Sequence, residues 1–131
     1  MKAKTILVID DDIDLVEIIR MTLEREGFAV VDAQTGERGL ALARATPPDL
    51  ILLDVMMGQV DEGFHTAYAL RQDPRTAEVP LLMLTAVTDR TGFEFDPDRD
   101  ADFLPVDEFV QKPISPRVLV DLVRRHLPTT I

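Results

Sequence analysis

The sequence predicts an α/β domain built on a parallel sheet with helices on both faces. Three observations point there. Short apolar runs recur along the chain and alternate with segments of helical period. Those runs are apolar at successive positions, too apolar for a sheet with one face in water, as expected of parallel strands covered on both sides. The length, 131 residues with 46% hydrophobic and 29% charged, suits one domain around one core, spanning 1–131.

The elements follow in order. "TILVI" (5–9) is β-branched and short, and reads as a buried strand. In "DLVEIIRMTLEREG", Leu15, Val16, Ile19 and Leu23 share one helical face and Gly27 supplies the stop. "FAVVDA" (28–33) is a second strand. "TGERGLALARATPP" is a second helix, capped by Thr35 and ended by Pro47 and Pro48. "LILLD" (50–54) is the third strand and "FHTAYALRQD" the third helix. "PLLMLTA" (80–86) and "EFVQK" (108–112) are the fourth and fifth strands. In the last helix Ser115 caps, Pro116 takes the first helical position and "RVLVDLVRRHL" follows.

Residues 88–107, "TDRTGFEFDPDRDADFLPVD", stand where a fourth helix belongs in this alternation. They contain Gly92, Pro97 and Pro105 and show no helical period, so an atypical, loop-rich region is expected. Residues 88–108 hold eight acidic and two basic side chains, more than half of the excess behind the net charge of -10.

That charge argues against gripping nucleic acid phosphates or an anionic membrane. It suits cation binding. The absence of cysteine excludes disulfides and thiol chemistry. The apolar stretch near the start is too short for a signal peptide, and no run approaches a membrane span, so a cytoplasmic protein is expected.

In open α/β sheets ligands collect beyond the carboxyl ends of the strands. The first strand here ends in Asp10, Asp11 and Asp12, the third in Asp54, the fourth in Thr85 and the fifth in Lys112. Carboxylates gathered on one rim repel one another, and a hard cation such as Mg2+ relieves that conflict. Asp54 closes the most apolar strand, where a carboxylate beside a metal is either a nucleophile toward phosphorus or a ligand only. Thr85 reads both as a hydrogen-bond donor to a phosphoryl oxygen and as an ordinary β-branched strand residue. Lys112 is placed to pair with Asp54 and then with a phosphoryl group. It precedes Pro113, and X–Pro is the bond at which a cis peptide is most often found. Asp12 reads best as the cap of the first helix, and Asp14 as a first-turn acid favoured by the helix dipole.

With "LVIDDD", "DLILLDVMM", "LLMLTA" and "FVQKPI" in that order, each at a strand end, the chain resembles a response regulator receiver domain, the phospho-acceptor module of two-component signalling. The resemblance implies a flavodoxin-like, doubly wound sheet of five parallel strands in the order 2-1-3-4-5. It makes Asp54 the phosphorylated residue. Asp11, Asp54 and the backbone carbonyl of Met56 become direct Mg2+ ligands, and Asp10 acts through water. Thr85 becomes the switch hydroxyl, Lys112 the phosphate-pairing lysine and Phe109 the aromatic that changes rotamer, although Phe109 also reads as a plain core or edge aromatic. The implied partners are a sensor histidine kinase or phosphotransfer protein upstream and a further protein downstream. Direct nucleic acid or membrane binding is not implied, and a homodimer is compatible. The domain assists its own phosphotransfer without being an enzyme in the turnover sense. Met56 and Val87 are apolar where a polar side chain would orient a hydrolytic water, so slow self-dephosphorylation is expected.

The sequence departs from the family pattern in three places. Gly58 replaces a frequent proline in "MMGQVDEGF", with one extra residue before Gly63. The interval from Thr85 to Lys112, 27 residues, exceeds the family's usual spacing, and the acidic segment fills it. A stand-alone receiver without an output domain is expected. Two other readings compete. One is a receiver-like interaction module that is never phosphorylated. The other is a haloacid-dehalogenase-type phosphatase using Asp10 and Asp12, but Asp14 stands where its frame needs Thr or Val, and no acidic pair follows Lys112.

Overall fold

The computed structural model describes residues 3–54, 62–85 and 106–127. Along the chain run β1 (Thr5–Ile9), α1 (Ile13–Arg25), β2 (Ala29–Ala33), α2 (Gly36–Ala45), β3 (Leu50–Asp54), α3 (Glu62–Gln72), β4 (Leu81–Thr85), β5 (Glu108–Gln111) and α4 (Pro116–His126). The strands form one five-stranded sheet in the order β2-β1-β3-β4-β5, with every pairing parallel. The doubly wound sheet expected from the sequence is therefore the fold. The loop after Asp54, with Met56 and Gly58, and most of the acidic stretch lie outside the described residues.

The apolar runs form strands because both of their faces are covered. Ile6 to Ile9, Leu50 to Leu53 and Leu81 to Leu84 are buried without a break. Each fully buried Leu or Ile is worth roughly 1.5–3 kcal/mol of transfer free energy. Side chains alternate along a strand, so each run feeds two cores. Ile6, Val8, Leu50, Leu52, Leu82, Leu84 and Val110 pack with Val16, Ile19 and Leu23 of α1 and with Leu119, Leu122 and Val123 of α4. Leu7, Ile9, Ile51, Leu53, Leu81 and Met83 pack with Ala43 of α2 and with Ala67 and Leu70 of α3 on the opposite face.

Capping follows the sequence. The side chains of Asp12, Thr35 and Ser115 accept the N–H groups of Leu15, Arg38 and Val118 at the starts of α1, α2 and α4. Gly27 ends α1 with a φ of 94°, a left-handed conformation that glycine adopts without strain. Gly39 is required for a different reason: a Cβ there would lie 2.4 Å from Ile9 Cδ1, so its absence lets α2 lie directly on β1. Boundaries shift by one or two residues: β2 begins at Ala29 and not Phe28, and β4 at Leu81 and not Pro80. Helix α3 begins at Glu62, two residues before Phe64, and β5 ends at Gln111, just before Lys112. Among the described residues no helix is long and apolar enough to cross a membrane.

Candidate functional site

The alternation that builds the two cores also aims the strand-end residues. Asp10 continues the series Ile6, Val8; Asp54 continues Leu50, Leu52; Lys112 follows Val110 by two. All three therefore emerge on the α1/α4 face, on neighbouring or near-neighbouring strands. Asp10 is fully buried and Asp54 is 3% exposed. Lys112 Nζ donates to Asp10 Oδ2 at 3.0 Å and lies 3.3 Å from Asp54 Oδ1. The lysine thus bridges the ends of β1 and β3. Pairing with Asp54 was expected; the shorter contact to Asp10 was not, although the shared parity of Asp10 and Lys112 carries that signal. The Lys112–Pro113 bond is cis.

Asp10 also ties down the loop beyond it, because its Oδ1 accepts the Asp12 N–H at 2.9 Å. Asp12 then caps α1 with its own carboxylate. Asp11 stands between them, exposed to solvent. Asp10, Asp11 and Asp54 each bring a carboxylate oxygen to within 4.8 Å of the others. Such a set, all oxygen with neither thiol nor imidazole, matches a hard divalent cation in chemistry. One ammonium among three carboxylates leaves negative charge in excess, which a bound cation would balance.

The lysine reports the same field. Burial, the largest single influence, lowers its pKa; the charges of Asp54 and Asp10 and their hydrogen bonds raise it by more. The ammonium is held above the ordinary lysine value of 10.5.

Thr85 and Phe109 belong to the other face. Thr85 continues Leu81 and Met83, and Phe109 pairs with Met83 and packs on the α2/α3 core. Thr85 is buried and Phe109 partly so, and Thr85 accepts the Lys112 N–H on its carbonyl at 2.8 Å. The predicted residues therefore divide: Asp10, Asp11, Asp54 and Lys112 converge, and Thr85 with Phe109 shares the adjacent strands on the reverse face. Met56 lies outside the described residues.

The response regulator receiver domain family model matches residues 6–124. The chain is 48% identical over 82 residues to the DNA-binding dual master transcriptional regulator RpaA of Synechocystis, covering 63% of this chain and 34% of that protein. It is 40% identical over 114 residues to the alkaline phosphatase synthesis transcriptional regulatory protein PhoP of Bacillus subtilis, covering 87% of this chain and 44% of that one. The chain thus spans less than half the length of either relative. Among solved structures, the chemotaxis response regulator CheY4 of Vibrio cholerae superposes with a TM-score of 0.83 at 28% identity, covering 96% of this chain and 100% of that one. The N-terminal domain of a response regulator receiver protein from Methanoculleus marisnigri JR1 gives 0.72 at 33% identity, covering 98% and 100%.

Proposed function

The chain belongs to the response regulator receiver domain family of two-component signalling, and on that premise we propose that it takes a phosphoryl group from a partner's phosphohistidine onto Asp54. The observation that carries this reading is the convergence of two buried carboxylates, a third exposed one and a single ammonium at the ends of three strands. In the transfer the phosphorus–nitrogen bond of the donor breaks and a bond forms from an Asp54 oxygen to phosphorus. Asp54 is held in place by a fully paired central strand, so little reorganisation is needed on attack. Lys112 stands beside Asp54 and would move its donors from carboxylate to phosphoryl oxygens as charge builds there.

Mg2+, if bound, would be held by Asp11 and Asp54, with Asp10 through water, and would neutralise charge on the phosphoryl oxygens. Asp10 then has two duties, anchoring Lys112 and fixing the start of α1. A donor protein reaching Asp54 must settle on this rim. The exposed Ile13, Ile18 and Met21 of α1 offer it an apolar contact, in keeping with a histidine kinase or phosphotransfer protein as partner. The readout is assigned to Thr85 and Phe109. Once phosphorylated, Asp54 would draw the Thr85 hydroxyl toward the rim, and Phe109, two strand positions away on the same face, would repack into the space released. The domain is then a regulatory switch whose output is a protein surface.

Incubation with acetyl phosphate and Mg2+, followed by intact-mass measurement, tests this. Wild type gains one phosphoryl group and Asp54→Asn gains none. An adduct that persists in Asp54→Asn would reject the assignment, and steady phosphate release lost in Asp10→Asn but not in Asp54→Asn would favour a phosphatase.

A further inference from the structure

The geometry points to Asp107 as a positioning residue for Lys112, acting with Arg71 to hold the short strand β5 in its pairing with β4. The inference rests on the phospho-acceptor reading and adds to it the means by which the lysine is placed.

Strand β5 has only four residues and lies at the edge of the sheet. Only Val110 among them is buried. Its apolar pattern therefore specifies register weakly, unlike that of β3 or β4, each buried throughout. Yet register is what the site depends on. A slip of one residue would carry Lys112 to the Thr85 face, and a slip of two would move it along the strand by about 6.6 Å. Neither leaves an ammonium between Asp10 and Asp54.

Polar contacts at the two ends of β5 supply what packing does not. At the far end the Lys112 N–H reaches the Thr85 carbonyl at 2.8 Å. At the near end Asp107 holds Leu81, the first residue of β4, twice. Its N–H donates to the Leu81 carbonyl at 2.8 Å, and its carboxylate Oδ2 accepts the Leu81 N–H at 2.7 Å. The side chain thus takes a β4 N–H that a backbone carbonyl would otherwise accept, and a neighbour one position off cannot reproduce both bonds.

Arg71 secures the carboxylate. Its Nη2 donates to the same Oδ2 at 2.9 Å, while Nη1 donates to the carbonyls of Ala77 and Val79 at 2.9 and 2.6 Å. One guanidinium therefore joins the end of α3, the turn before β4 and the start of β5. Glu108 meets His126 of α4 at 2.6 Å on the other side, but that contact ties β5 to a helix and not to its partner strand. Of the three side chains Arg71, Asp107 and Glu108, it is Asp107 that bonds the β4 backbone at Leu81.

The full chain carrying Asp107→Ala tests the inference by amide hydrogen exchange and by the rate of phosphorylation from acetyl phosphate with Mg2+. Protection of the Lys112 amide is expected to fall about tenfold while β1 and β3 keep theirs, and the phosphorylation rate falls with it. Asp107→Asn, whose side-chain oxygen still accepts the Leu81 N–H, restores most of both. An unchanged Lys112 amide, or an equal loss of protection across all five strands, overturns the positioning role. Should Asp107→Ala fail to fold, Arg71→Lys, which loses the second guanidinium arm, carries the same expectation. A wild-type chain that accepts no phosphoryl group would defeat the functional reading but leave the exchange pattern to decide the role of Asp107.

Discussion

Replacing Lys112 by alanine removes the ammonium 3.0 Å from Asp10 and 3.3 Å from Asp54 and leaves both carboxylates where they are. They are 0% and 3% exposed, so water replaces little of what is lost. At an effective dielectric near 20, an ion pair at this separation is worth about 5 kcal/mol before desolvation is counted. Freeing the ammonium from its buried position returns several kcal/mol of that. Breaking a buried pair from one side costs about 3–5 kcal/mol in general, and a lysine side chain that keeps 17% of its exposure belongs at the lower end, about 3 kcal/mol. A domain stable by about 5–15 kcal/mol survives that loss, with its melting point lowered by about 10 °C. Far-UV circular dichroism is the assay, since the chain has no tryptophan and one tyrosine. Unfolding is followed once in EDTA and once in Mg2+. The cation should raise the variant more than the wild type, because the altered site carries more uncompensated charge. A variant as stable as wild type in EDTA, or one that gains no more from Mg2+, would refute the reasoning.

Two further outcomes follow from the same geometry. Gly39→Ala places a Cβ 2.4 Å from Ile9 Cδ1 and 2.6 Å from Ile9 Cγ1, against a side chain with no exposure. The helix-propensity gain of about 1 kcal/mol is outweighed by overpacking of about 1–3 kcal/mol, so the urea midpoint should fall; a rise would mean that α2 lifts off β1 at no cost. Lys112 also sets an alkaline limit. Its folded pKa is raised above 10.5, so its contribution is fully present below that value and is lost as pH rises through the higher folded one. The stability gap between wild type and Lys112→Ala should hold from about pH 7 to about pH 10 and close only beyond; closure near neutrality would contradict the pairing.

Most of the sheet was legible because its strands are apolar at every position, a pattern that only a doubly covered sheet satisfies. The caps were legible because Asp12, Thr35 and Ser115 each act within three residues of themselves. The site was legible as a set of strand ends, and the Lys112–Asp10 contact was implicit in strand parity. The Arg71–Asp107 contact was not. It joins residues 36 positions apart, and Asp107 lies in an acidic stretch in which no aspartate stands out. The start of α3 was missed by two residues because Glu62 and Gly63 add nothing to the apolar period from which that helix was read.

One alternation therefore governs both core and site. The period that sends Ile6, Val8, Leu50, Leu52 and Val110 to the α1/α4 core sends Asp10, Asp54 and Lys112 to the same side of the rim. The opposite phase sends Leu81 and Met83, and with them Thr85 and Phe109, to the α2/α3 side. The proposed phosphoryl acceptor and its proposed readout thus stand on opposite faces of the sheet, joined where the Thr85 carbonyl holds the Lys112 N–H. In β1 and β3 the core itself enforces the phase, because a slipped strand would unseat four buried apolar side chains. In β5 a slipped strand would unseat one, Val110. A sheet that places the ammonium of this site just past its short edge strand must hold that strand with polar bonds, and Asp107 and Lys112 stand at its two ends to do so.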